Sequence, residues 1–136
     1  MESSTAILWV QAGGLFHVAL ALFHLMFWKL FRWREQLERL HPINRGIFQV
    51  LNLRLSYVFV VFATLSFLFP EDLITSNLGR ALLAAITLFW LMRAFEQLVF
   101  FTRHFFTWLY FLVFLSGAAL YAWPLLGTFD YQIVIS

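Results

Sequence analysis

His17 and His24 stand seven residues apart in one almost wholly apolar stretch. Arg93, Glu96, Gln97, Arg103 and His104 gather in another, within RAFEQLVFFTRHFF. Gln49, Asn52 and Arg54 lie between the two in sequence. These are residue types that ligate, pair and carry protons. A b-type haem needs two axial ligands from facing helices at matching depth. His24 and His104 could meet that need, with arginines near the propionates, whereas His17 has no histidine at its level elsewhere. Histidine and glutamate are also permitted metal ligands. However, His17 and His24 would lie about 10 Å apart along a helix axis, and their spacing matches no metal motif. Glu96 with His24 could serve acid–base chemistry on a lipophilic substrate. Ionisable residues inside a membrane mark proton, ion or substrate paths by default. Nucleotide-binding loops, GxSxG and HExxH are absent from the sequence, so catalysis is the less favoured reading.

The elements that must position these residues follow from composition. The chain is 62% hydrophobic and 12% charged, with 18 phenylalanines. Soluble domains average about 45–50% apolar and about 25% charged, so this composition reads as integral membrane. The length allows one domain, 1–136. Cysteine is absent, which excludes disulfides and thiol-ligated metals. The net charge of +2 is too small and too scattered for a nucleic-acid surface.

A membrane-crossing helix needs about 20 apolar residues. Four stretches qualify, at about 6–28, 47–69, 77–102 and 105–124. Long apolar runs without alternation exclude strands, and backbone groups in lipid must be satisfied internally, so an all-α four-helix bundle is expected. The first stretch lacks the basic lead and the small-residue cleavage site of a removable signal. Asn44 and Asn77 are candidate caps for spans two and three. Pro70 should stop span two, and Pro124 with Gly127 should stop span four. Span three has an alternative end at Met92, which would make it 16 residues long. In that case RAFEQLVFFTRH becomes a wet interfacial segment.

Eight of the nine basic residues fall in the first connection, in the turn after span three, or in the span halves beside them. Positive loops stay in the cytoplasm, so both termini are expected on the opposite side, in a plasma or inner membrane. Trp9 and Trp123 would mark the outer interface, and Trp28, Trp33 and Trp108 the inner one. Trp33, Leu37 and Leu40 recur at helical spacing in the first connection, with Arg34–Glu38 and Glu35–Arg39 as i,i+4 pairs. A short amphipathic surface helix is expected there.

Helical spacing puts Gly13, His17, Ala21 and His24 on one face of span one, where small residues invite a close neighbour. Gln49, Asn52 and Ser56 share a face of span two, with Arg54 on another. Arg93, Glu96, Gln97, Arg103 and His104 share a broad face of span three, and Arg93 should pair with Glu96 at i,i+3. Arg54 and Arg93 have the alternative of snorkelling to the interface. His41 reads as a loop residue. Arg54, Glu96 and His24 fall at similar depth near the basic end. The sequence therefore predicts a net-positive polar cavity in the cytoplasmic leaflet. It would bind or conduct a small polar or anionic species, in a homo-oligomer among membrane lipids. The alternative is an accessory or anchor subunit of a larger membrane complex, holding one b-type haem. A second alternative is a membrane enzyme acting on a lipophilic substrate.

Overall fold

The computed structural model describes residues 3–101 and 105–135, and for 128–135 the backbone alone. The protein is an all-α four-helix bundle, 91% helical, with no strand among the described residues. In chain order the helices are α1 (Ser3–Leu25), α2 (Phe27–Leu30), α3 (Trp33–Glu38), α4 (Pro42–Leu68), α5 (Pro70–Thr75), α6 (Asn77–Phe100) and α7 (Thr107–Ile135). Four of them are long and apolar enough to cross a membrane: α1, α4, α6 and α7 as far as Gly127.

Helix boundaries depart from the sequence expectation in ways that local chemistry explains. Helix α4 starts at Pro42, whose fixed φ suits the first helical position, with His41 at the cap and Asn44 inside the helix. Ser76, not Asn77, caps α6: its hydroxyl accepts the Gly79 N–H at 2.8 Å. Helix α6 runs past Met92 to Phe100, so Arg93, Glu96 and Gln97 are helical. Pro70 does end α4, and α5 begins on it. Pro124 does not end α7 but lies buried within it. One missing N–H is tolerable in such a helix where neighbours pack around it.

Helix α1 sits between α4 and α7, and α7 sits beside α6. Glycines permit the close approaches. A Cβ on Gly13 would lie 2.5 Å from the Tyr121 ring of α7, and one on Gly14 would lie 3.0 Å from Ser66 of α4. A Cβ on Gly79 would meet the α5 backbone at Leu73 Cα, 2.5 Å away, which locks α5 onto α6. Helices α4 and α6 close the ring differently, through aromatic side chains rather than near backbones. Phe59 stacks on Trp90 at 5.5 Å, and Phe62 meets Phe89 at 5.9 Å. The outer face is apolar, with Leu8, Leu15, Leu22, Val50, Leu51 and Leu88 among the exposed side chains.

At one end, hereafter the basic end, α2 and α3 carry exposed Lys29, Arg34 and Arg39. Leu37 is buried and seats α3, as the amphipathic pattern requires. The ion pair here is Arg32–Glu35 at 2.6 Å rather than the i,i+4 pairs. Arg32 adopts a left-handed backbone conformation (φ 49°) between α2 and α3.

Candidate functional site

The interior contains two polar layers. The middle one takes a side chain from each long helix: His17 from α1, Ser66 from α4, Trp90 from α6 and Tyr121 from α7. Trp90 can only donate, and its Nε1–H reaches His17 Nε2 at 3.0 Å. His17 is therefore the neutral tautomer with its proton on Nδ1. That N–H is shared between the Gly13 carbonyl at 2.9 Å and the Tyr121 hydroxyl oxygen at 3.0 Å. Tyr121 then donates to Ser66 Oγ at 2.8 Å, and Ser66 donates to the Phe62 carbonyl at 2.8 Å. Each donor has an acceptor, and the chain of bonds is closed.

Aromatic rings surround this layer. Trp90 is stacked between Phe59 at 5.5 Å and Phe114 at 5.8 Å, with Phe16 edge-on at 5.0 Å. His17 thus has both ring nitrogens engaged and the three other long helices packed on it. It ties the four long helices together at one level.

The second layer lies toward the basic end. His24 Nδ1 donates to the Leu20 carbonyl at 2.9 Å, and its ring stacks on Phe27 at 4.5 Å with Phe59 edge-on at 5.1 Å. Asn52 Nδ2 donates to the His24 backbone carbonyl at 3.0 Å. Ser56, one turn along, donates to the Asn52 carbonyl. Asn52 is 6% exposed, and its Oδ1 is buried without a hydrogen-bond partner. Arg93 donates to Gln97 Oε1 at 3.1 Å and lies over the Phe114 ring at 4.3 Å. Amide and ring together explain how a half-buried guanidinium is accommodated. Arg93 is within electrostatic range of His24, and Gln97 is buried beside it.

The structure thus brings His24, Asn52, Arg93 and Gln97 to one level and separates the rest. Glu96 is exposed and forms no ion pair within 4 Å of Arg93 or His24, although it lies within electrostatic range of Arg93. The expected Arg93–Glu96 pair is replaced by Arg93–Gln97, at i,i+4 on the inward face. Gln49 is half-buried, and Arg54 is exposed on an outer face among Val50, Leu51 and Tyr57. Arg103 and His104 lie outside the described residues. Among the described residues, no three His, Asp or Glu side chains gather as a metal-ligand set.

Trp90, Tyr121 and Ser66 were missed in the sequence reading. The available signal was position. Trp90 falls well inside an apolar span, where its N–H needs a partner, whereas Tyr121 lies three residues from the expected end of span four and gives no such sign. Trp9 and Trp123, by contrast, come together at the end remote from the basic end, 5.9 Å apart. No known protein family matches the chain, nor does any curated protein or solved structure.

Proposed function

We propose that this is a small integral membrane protein whose polar layer, in the cytoplasmic leaflet, binds a small polar or anionic group. The observation that carries this reading is the contrast between the two layers. In the middle layer every hydrogen-bonding atom is matched. In the basic-end layer Asn52 Oδ1 is left over in the interior, and the half-buried Arg93 is within electrostatic range of the neighbouring His24. A buried acceptor without a partner costs about 1–3 kcal/mol, and a ligand removes that cost. The positive-inside rule assigns the basic end to the cytoplasm, with both termini on the other side. Conduction along the axis of one protomer is disfavoured by Trp90, Tyr121, Phe59, Leu83 and Ile86, all fully buried. Any permeation path therefore runs between protomers of a homo-oligomer, where exposed Arg54 is available. The test is a density map of the protein in nanodiscs, paired with a flux assay in proteoliposomes. Discrete non-protein density within hydrogen-bond distance of Asn52 Oδ1 is the expected result. Side chains closing over that atom, with no flux, would leave a membrane anchor.

A second reading, an accessory subunit with one b-type haem, is supported by His24. Its Nδ1 is tied to a backbone carbonyl while Nε2 makes no hydrogen bond among the described residues. That is how ligating histidines are commonly oriented. A Soret band in the purified protein, lost in His24→Ala, would establish it.

A further inference from the structure

The basic-end layer has an uneven hydrogen-bonding demand. The Asn52 amide cannot be turned around, since the His24 carbonyl needs a donor and Nδ2 supplies it. The orphan atom is therefore an acceptor, Oδ1. His24 Nε2 is a second acceptor, because the ring proton is on Nδ1, committed to Leu20. The cation at this level, Arg93, spends one N–H on Gln97 and lies against Phe114 and Phe101.

Ligand classes can be ranked against that demand. A halide or carboxylate brings only lone pairs and leaves Asn52 Oδ1 unsatisfied. An ammonium group donates, but adds a positive charge beside Arg93 in a poorly screened interior. A hydroxyl donates to Asn52 Oδ1 without adding a charge to a level that already holds Arg93. The surroundings favour an apolar body behind that hydroxyl. Phe27 and Phe59 flank His24, and Phe114 underlies Arg93. The α4–α6 seam is closed by the side chains of Phe59, Phe62 and Phe89 rather than by near backbones.

We infer that this layer takes the hydroxyl of a membrane-soluble alcohol or phenol, donated to Asn52 Oδ1, with the apolar part lying along the α4–α6 seam. The inference rests on the proposed ligand-binding role of this layer and narrows it to a neutral hydrogen-bond donor.

Four straight-chain probes separate the classes in the unaltered protein in nanodiscs: 1-decanol, methyl decyl ether, decanoate and decylamine. Each is matched for concentration in the bilayer, and unfolding is followed by tryptophan fluorescence. Decanol should raise Tm saturably, by about 3–6 °C at tenfold its Kd. The ether, which accepts but cannot donate, should not. Asn52→Leu should remove the difference between them. Equal shifts by decanol and ether in the unaltered protein overturn the inference without reliance on any variant. A shift by decanoate alone, lost in Arg93→Met, also overturns it while leaving the ligand site intact as an anion site. If all four probes act alike and neither variant changes the response, the inference and the ligand site fall together.

Discussion

The indole N–H of Trp90 on α6 donates to Nε2 of His17 on α1 at 3.0 Å, across the centre of the bundle. This one bond fixes the tautomer of His17, and through it the direction of each hydrogen bond as far as Ser66. Removing His17 should therefore disturb several partners together. His17→Leu leaves the Trp90 N–H bare and should cost about 1–3 kcal/mol. Trp90→Phe should cost less per hydrogen bond than it does in packing. In a double-mutant cycle of His17→Leu and Trp90→Phe, the coupling should be about 0.5–1.5 kcal/mol, in line with interhelical bonds in membranes. Independent effects of the two changes would mean that the bond contributes nothing to stability.

Gly13 controls the approach of α7. A methyl group there meets Tyr121 ring carbons at 2.5 Å and the hydroxyl at 2.7 Å. Gly13→Ala should displace Tyr121 and cost about 1–3 kcal/mol by overpacking, and Gly13→Leu should cost more. Leu15 is 65% exposed, and Leu15→Ala should stay within about 0.5 kcal/mol. Thermal unfolding in a single detergent checks the ranking. Similar tolerance at both positions would place Gly13 against lipid.

Arg93 and Gln97 should behave as a coupled pair, and Glu96 should not. Glu96→Gln is expected to change stability by less than about 1 kcal/mol and to add simply to Arg93→Met, as exposed charges do. Gln97→Leu combined with Arg93→Met should be milder than the sum of the single changes, because Gln97→Leu alone strips the guanidinium of its acceptor. Chemical denaturation of the three single variants and two doubles decides it. Strong coupling to Glu96 would restore the pair that helical spacing suggested.

Sidedness has two clean probes, since the chain has no cysteine. Nothing lies within 4 Å of a Cβ built on Gly46, at the basic end, so Gly46→Cys should be tolerated. An impermeant maleimide should reach Gly46→Cys only from the cytoplasm and Ser3→Cys only from the opposite side. The reverse pattern would invert the bundle.

Four apolar runs with a basic first connection were enough to read the architecture, because lipid leaves the backbone few options. The inward placement of His17, Gly13 and Ala21 was legible for a related reason: small and polar residues repeated on one helical face. Pairing was harder to read. The i,i+3 spacing of Arg93 and Glu96 fits an ion pair, but only the direction of the core, which other helices set, shows that Glu96 turns away. Tyr121 carries no local sign of its role, since its partners lie 104 and 55 residues away. Pro124 misled for the opposite reason. Its local tendency to break a helix is overridden by burial among neighbours.

The distance in sequence between His17 and Tyr121 also bears on how the protein is made. Helix α1 leaves the ribosome before α7, yet the imidazole on one and the phenol on the other complete the same chain of bonds. Until α6 and α7 are made, α1 holds a histidine whose Trp90 and Tyr121 partners have not yet been translated. Copies truncated before α6, or threaded in the wrong order, leave the His17 Nε2 acceptor unmatched within the bilayer. They are thereby distinguishable from finished protein by any insertase or intramembrane protease that senses exposed polar groups.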